Sequence, residues 1–124
     1  MKNIFAVGTG PGSPEYLTLQ AVKALENADL IFAPNNKGKN MALDTVKDFI
    51  KNKEVLFLDF PMGFVSKEDY KIQAEKILKK TKENSNTLIL TIGDPMIYST
   101  FIYMMPYFKI PEINLQIISG IKER

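Results

Sequence analysis

Hydrophobic residues along the chain fall into short continuous runs that alternate with segments of helical spacing. Five of the runs are bounded by polar or turn residues and predict buried strands, at residues 4–7, 30–33, 55–58, 88–92 and 115–118. Between them, apolar residues recur at intervals of three and four, which predicts amphipathic helices. Strands that alternate with helices predict an α/β fold, with an open, mostly parallel five-stranded sheet and helices on both faces.

Four helices are predicted from these spacings. Their apolar faces are Leu17, Ala21, Ala24, Leu25 and Ala28; Ala42, Val46, Phe49 and Ile50; Tyr70, Ala74, Ile77 and Leu78; and, in a helix over 96–107 that is broken near Pro106, the aromatic residues Tyr98, Phe101, Tyr103 and Tyr107. We expect the aromatic side chains of the last helix to lie in the core. Ser66, with Asp69 three residues later, resembles a capping box that opens the third helix.

Length and charge limit the class of protein. The chain has 124 residues, which suits one domain, and its net charge of +2 comes from scattered lysines and a single arginine. That balance is too mild and too diffuse for a nucleic-acid-binding surface. The chain has neither an apolar stretch of about 18 residues nor the layout of a signal peptide, so we expect a cytoplasmic protein without a membrane partner.

Two residue types with reactive side chains are missing. The sequence contains no cysteine and no histidine. Thiolate nucleophiles, disulfides and imidazole bases are therefore excluded, and we expect no metal site.

The first strand is followed by a glycine-rich turn, Gly8-Thr9-Gly10-Pro11-Gly12. Glycines at alternate positions allow positive φ angles and a close approach of a ligand to the backbone. A dinucleotide fingerprint would need a third glycine at Ser13 and an acid where Ala33-Pro34 ends the second strand. A phosphate-binding loop would need Gly-Lys-Ser/Thr, which does not follow. A tight turn without a ligand remains the alternative.

A second turn, Gly93-Asp94-Pro95, follows the fourth strand. It places an acid at the carboxyl end of a buried strand, although Asp94 could instead be only a helix cap. In open α/β sheets, ligands bind beyond the carboxyl ends of the strands. The two turns therefore predict one shared crevice.

These motifs resemble the amino-terminal domain of the tetrapyrrole methylases, a family of S-adenosylmethionine-dependent methyltransferases. The matching stretches are Val7 to Glu15 with Leu17-Thr18-Leu19, Ala28-Asp29-Leu30-Ile31, and Gly93-Asp94-Pro95 with Tyr98. Residues 93–101 and Ala33-Pro34 are most similar to the C-20 methyltransferases that act on precorrin-2 or cobalt-factor II in cobalamin and porphyrin biosynthesis. An aspartate near the end of the second strand marks uroporphyrinogen-III methylases, and Pro34 stands there instead.

The resemblance implies a two-domain enzyme whose cleft holds the methyl donor and a small-molecule tetrapyrrole, and a homodimer of the full-length protein. Residues 1–124 would be the amino-terminal domain, without the family's carboxyl-terminal domain. The positions matched to donor contacts are Pro11, Ile92, Gly93, Asp94 and Ile97, and those matched to the substrate side are Gly10, Gly12, Tyr98 and Ser99. Asp94 is the candidate base.

Alternatives remain open on the sequence alone. Other members of the superfamily methylate other ring positions, a diphthamide precursor on protein, or a ribosomal RNA ribose. A binding module that holds a nucleotide-like ligand without catalysis would also use glycine turns at the edge of a sheet. We expect the 124-residue chain by itself to be inactive, because half a cleft loses contacts while the entropic cost of association remains.

Overall fold

Strands and helices alternate along the chain, as the hydrophobic pattern predicts. The computed structural model describes residues 1–10, 14–34, 41–61, 63–93, 95 and 99–120, without the side chains of Met41 and Ser99. The elements in chain order are β1 Lys2–Gly8, α1 Leu19–Glu26, β2 Leu30–Pro34, α2 Met41–Val46, β3 Glu54–Leu58, α3 Lys67–Lys80, β4 Asn86–Thr91, α4 Ser99–Met104 and β5 Ile113–Ile118. Short 3-10 turns at Pro14–Tyr16, Lys47–Phe49 and Met105–Phe108 precede α1 and extend α2 and α4.

The five strands form one sheet in the order β3-β2-β4-β1-β5, and all neighbouring strands are parallel. The chain moves across the sheet in one direction from β1 to β3 and in the other direction from β3 to β5. Because parallel crossovers are right-handed, this reversal puts α1 and α2 on one face and α3 and α4 on the other. The predicted α/β sheet with helices on both faces is confirmed.

Each face of the sheet has its own apolar layer. One layer joins the sheet to α3 and α4, and its largest buried side chains are Ile4, Phe32, Ile77, Ile89, Phe101, Met104 and Phe108. The other joins the sheet to α1 and α2, and includes Val7, Leu25, Ile31, Val46, Leu88 and Leu90. Strands that are covered on both faces are apolar at successive positions, which explains their continuous runs in the sequence.

Two helices begin at side-chain caps. The Ser66 hydroxyl accepts from the Asp69 N–H at 3.2 Å, and the Asp69 carboxylate accepts from the Ser66 N–H at 2.8 Å. The predicted capping box is therefore confirmed at the start of α3. At α1, the Thr18 hydroxyl accepts from the Ala21 N–H at 3.1 Å, so the helix begins at Leu19. Leu17 precedes the helix and packs against the core layer that joins the sheet to α1 and α2.

The prediction that the aromatic side chains of the last helix lie in the core is wrong for Tyr103. Phe101 is fully buried, as expected, but the side chain of Tyr103 is 58% exposed. It lies against Tyr70 of α3, with ring centroids 5.2 Å apart, and Tyr70 in turn contacts Phe60 at 5.3 Å. The helix that carries Tyr103 is only six residues long and lies at the surface, so its outward face cannot reach the sheet.

Candidate active site

The two glycine-rich turns meet at the carboxyl edge of the sheet. β1 and β4 are neighbours, with Gly8 opposite Thr91, and the Thr9 N–H donates to the Thr91 carbonyl at 2.9 Å. Beyond the strands, Gly10 and Gly93 exchange two hydrogen bonds, Gly93 N–H to the Gly10 carbonyl at 3.0 Å and Gly10 N–H to the Gly93 carbonyl at 3.3 Å. The described parts of both turns therefore lie together at one edge of the sheet.

Two buried hydroxyls fix the strand ends below this junction. The Thr9 hydroxyl donates to the Thr91 carbonyl at 2.9 Å, and the Thr91 hydroxyl donates to the Val7 carbonyl at 3.3 Å. Both threonine side chains are buried. A buried hydroxyl without a hydrogen-bond partner lowers the stability of the fold, so these two bonded hydroxyls stabilise the relative position of β1 and β4.

The backbone at the junction requires glycine at two positions. Gly10 has φ +74° and Gly93 has φ +69°, a region that other residues seldom adopt. A Cβ placed on Gly10 would lie 3.2 Å from the Cβ of Tyr16, so that side of the first turn is occupied. A Cβ placed on Gly93 would meet no atom of the described chain within 4 Å. The open side of Gly93 is this position, which no atom of the described residues occupies.

Four of the nine predicted site residues lie in the described part of the chain. Gly10, Ile92 and Gly93 lie together at the junction, and Ser99 is the first residue of α4. Ile92 follows the end of β4, which was expected to include it, and its half-buried side chain packs against the core layer of α1 and α2. The other predicted positions, Pro11, Gly12, Asp94, Ile97 and Tyr98, lie outside the described residues.

Two features of this edge were not predicted from the sequence. Thr9 and Thr91 were given no role, although a threonine at the ends of both β1 and β4 was a readable signal. Gly120, two residues beyond β5, was also given no role, although it lies close to Gly8 and Gly93.

The described residues at the junction, Thr9, Gly10, Ile92 and Gly93, carry no ionisable side chain. In the parts of the chain that the structure covers, no group of acidic side chains is arranged to hold a metal ion. The described part of this edge therefore presents backbone, and the open side of Gly93 is free of described atoms.

Apart from this edge, the described chain has clefts elsewhere. One is lined by Phe64, Tyr70, Ile102, Tyr103 and Tyr107, and another lies between α1 and β5, beside Phe5, Gln20 and Gln116. Burial raises the pKa of the Tyr70 phenol in the first of these, and Tyr103 and Asp69 raise it further. Neither cleft includes Gly10 or Gly93.

The fold is that of an open parallel α/β sheet in which two glycine turns join at the carboxyl ends of β1 and β4, the edge at which ligands of such sheets bind. The chain belongs to the tetrapyrrole (corrin/porphyrin) methylases, because residues 3–122 match that family. None of the helices in the described ranges has the length and apolar character needed to span a membrane.

Relatives of the chain include two named for the same reaction. The chain is 39% identical to the probable cobalt-precorrin-2 C(20)-methyltransferase of Methanocaldococcus jannaschii, over 98% of this chain and 54% of that protein. It is 31% identical to the cobalt-precorrin-2 C(20)-methyltransferase of Salmonella typhimurium, over 95% of this chain and 52% of that protein. The chain thus spans about half the length of these relatives.

Solved structures share the fold at lower identity. The uroporphyrin-III-C-methyltransferase of Thermus thermophilus matches with a TM-score of 0.72 and 20% identity, over 98% of this chain and 48% of that one. A cobalt precorrin-4 methyltransferase matches with a TM-score of 0.65 and 20% identity, over 97% and 46%. These likenesses establish the fold alone.

Proposed function

We propose that this chain is the amino-terminal, donor-binding domain of an S-adenosylmethionine-dependent methyltransferase that methylates C-20 of precorrin-2 or cobalt-factor II in cobalamin biosynthesis. The observation that carries the proposal is the pair of hydrogen bonds between Gly10 and Gly93, which unites the two family motifs at one edge of the sheet. Ligands of open parallel sheets bind at this edge.

The open side of Gly93 supports a donor site. A positive φ at Gly93 turns its Cα toward a space that a Cβ could enter without meeting the described chain. The N–H group of Gly93 is used in the junction, so Gly93 would contact a donor through its Cα surface. In the proposal, Pro11, Ile92, Asp94 and Ile97 complete the donor contacts.

The substrate side of the site is proposed from the same two turns. Gly10 and Gly12 would face the macrocycle from the first turn, and Tyr98 and Ser99 from the second. A tetrapyrrole is flat and wide, and a glycine-rich surface lets such a molecule approach the backbone closely. Because the chain spans about half of its relatives, the remainder of the substrate cleft would come from a carboxyl-terminal domain.

The proposed reaction is an in-line displacement. S-adenosylmethionine supplies an electrophilic methyl group on its sulfonium when it is bound. The chain's task is to hold the donor so that a nucleophilic meso carbon of the macrocycle can attack that methyl group and to exclude water. The C–S bond breaks as the new C–C bond forms, S-adenosylhomocysteine leaves, and the carbon loses a proton. Asp94 is the proposed acceptor of that proton.

Relatives that are named for other reactions provide the second candidate function. The chain is 28% identical to a chloroplastic uroporphyrinogen III methyltransferase of Arabidopsis thaliana, and 28% identical to the diphthine synthase of Sulfurisphaera tokodaii. The 39% identity to the Methanocaldococcus jannaschii protein named for C-20 methylation exceeds these values and the 30% identity to that organism's probable cobalt-precorrin-7 C(5)-methyltransferase, which favours C-20. Pro34, the last residue of β2, also differs from the aspartate expected in a uroporphyrinogen methylase.

The first test is donor binding to the 124-residue chain. S-adenosylhomocysteine, titrated into ¹⁵N-labelled protein, should shift the amide signals of Gly10 and Gly93 weakly but saturably. Strand amides such as that of Ala6 should not shift. A folded protein whose Gly10 and Gly93 signals do not respond would refute the donor site.

The second test is methyl transfer. With ¹³C-methyl donor and precorrin-2, its cobalt complex or uroporphyrinogen III, we expect no product from the isolated chain. A chimera continued after Gly120 with the carboxyl-terminal half of the Salmonella typhimurium relative should yield a product labelled at C-20. Labelling at another ring carbon would refute the ring position. Tight, saturable binding by the isolated chain, with no transfer by the chimera, would favour the non-catalytic binding module.

A further inference from the structure

Three glycines at the ends of three neighbouring strands meet at the junction. Gly8 is the last residue of β1, Gly93 follows β4 by two residues, and Gly120 follows β5 by two residues. A Cβ placed on Gly8 would lie 2.6 Å from the Gly120 nitrogen and would overlap the Gly93 carbonyl oxygen. The turn after β4 therefore crosses the end of β1 and reaches the chain that leaves β5.

The Gly93 carbonyl oxygen occupies the position that a side chain at Gly120 would need. A Cβ placed on Gly120 would overlap this oxygen and would lie 3.0 Å from the C and Cα atoms of Gly8. These neighbours are backbone atoms, which cannot rotate away as the end of a flexible side chain can. Gly120 lies outside the left-handed region of φ, unlike Gly93, so space alone opposes a larger residue there.

The same carbonyl holds the two turns together. The Gly93 oxygen accepts the Gly10 N–H at 3.3 Å, so any displacement of Gly93 by a side chain at residue 120 also disturbs its contact with the first turn. Gly120, which follows β5, and Gly10, which follows β1, thus both adjoin the Gly93 carbonyl oxygen.

We infer that Gly120 is a positioning residue for the donor-binding turn. Its bare backbone fixes the Gly93 carbonyl, and thereby the open side of Gly93, without contacting the donor itself. The inference rests on the proposed donor site, because it assigns a functional consequence to the position of Gly93. It also connects the chain that leaves β5 to the geometry of the turn after β4.

The experiment compares Gly120→Ala with two control variants in the 124-residue chain. Ser119→Ala changes the exposed neighbouring residue in the same segment. Gly63→Ala introduces a Cβ at φ +85°, where no described atom lies within 4 Å, so it costs stability without touching the junction. For each variant, urea unfolding gives the stability, amide exchange reports the Gly10 N–H, and an NMR titration gives the affinity for S-adenosylhomocysteine.

We expect Gly120→Ala to speed exchange of the Gly10 N–H and to weaken S-adenosylhomocysteine binding, each by about five- to tenfold, the size expected for one lost hydrogen bond. Exchange at Ala6 and Leu90, inside the strands, should rise no more than the loss of global stability accounts for. Gly63→Ala should lower stability but leave binding unchanged. Binding in Gly120→Ala that matches the controls, with unchanged exchange at Gly10, would overturn the inference.

A second variant covers the case in which Gly120→Ala fails to fold. A chain that ends at Ile118 keeps β5 and introduces no overlap, but it lacks the Gly120 backbone. We expect faster exchange at Gly10 and weaker binding in this chain as well, and wild-type values would overturn the inference. If the wild-type protein itself does not bind S-adenosylhomocysteine, the proposed function fails, while exchange at Gly10 still reports whether Gly120 positions the turn.

Discussion

Thr9 and Thr91 share one carbonyl where their strands end. The Thr91 carbonyl accepts both the backbone N–H and the hydroxyl of Thr9, each at 2.9 Å. One residue beyond Thr9 and two beyond Thr91, the chain forms the Gly10–Gly93 junction. The threonine pair therefore connects the packed sheet to the edge at which we place the donor.

Replacing the Thr9 hydroxyl should weaken this connection. Thr9→Val keeps the shape of the side chain and the backbone N–H bond but removes the hydroxyl's hydrogen bond to the Thr91 carbonyl, and we expect the free energy of unfolding to fall by about 1 kcal/mol. Thr9→Ser retains the hydroxyl and should retain most of the stability. Urea unfolding of the three proteins, followed by circular dichroism, measures the difference. A valine variant as stable as the wild type would argue against a stabilising role for the hydroxyl.

Replacing the Thr87 hydroxyl should change the free energy of unfolding in the opposite direction. Its hydroxyl is fully buried on β4 and has no hydrogen-bond partner in the described part of the chain. Thr87→Val should therefore raise the free energy of unfolding by up to about 1 kcal/mol, because it removes an unsatisfied polar group. Thr81→Val is the matched control, since it removes a buried hydroxyl that donates to the Ile77 carbonyl at 2.7 Å, and it should destabilise. Destabilisation by both substitutions would contradict this reasoning.

Gly93→Ala should separate folding from donor binding. The new Cβ meets no described atom within 4 Å, so the fold should lose only the cost of alanine at positive φ, about 1 kcal/mol. Binding of S-adenosylhomocysteine should fall much further, because the methyl group fills the open side of the turn. Gly63→Ala has the same kind of backbone cost and should bind normally. Equal binding by both variants would place the donor elsewhere.

The Tyr70 phenol should make stability fall at alkaline pH. Burial, Tyr103 and Asp69 raise its pKa above the ordinary value of 10.0. A folded-state pKa that is higher than the unfolded one gives stability that is complete below the unfolded pKa and is lost as pH rises through the folded pKa. Tyr70→Phe should therefore flatten the decline in unfolding free energy above pH 10.

Tyr103→Phe provides the check on the cause. It removes one neighbour that raises the pKa of Tyr70, so that pKa should move down toward its ordinary value. NMR of ¹³C-labelled tyrosine resolves the titration of each ring. An unchanged Tyr70 titration in Tyr103→Phe would assign the shift to burial and Asp69 alone.

The sequence predicted local features better than those made by distant strands. Ser66 and Asp69 identified the start of α3, because a capping box depends only on residues three apart. The end of β4 was predicted one residue late, at Ile92, since an apolar run does not indicate where hydrogen bonding to β1 stops. The insertion of β4 between β2 and β1 was not predicted, because the order of parallel strands depends on long-range packing.

In the candidate site, too, local features were predictable and contacts between distant segments were not. Two glycine turns at strand ends were visible in the sequence, and their place at one sheet edge followed from the rule for open sheets. The hydrogen bonds between Gly10 and Gly93, and the proximity of Gly120, depend on how three strands align and could not be inferred from any one segment. The exposure of Tyr103 likewise depended on the depth at which α4 lies.

The central place of β4 in the sheet has a consequence for synthesis of the chain on the ribosome. Thr9 leaves the ribosome early, yet its partner Thr91 follows 82 residues later. Loops of this length close late and slowly compared with local structure. A nascent chain that ends after β3 would therefore lack the Gly10–Gly93 junction, and under the proposed function binding of S-adenosylhomocysteine would report that synthesis had passed β4.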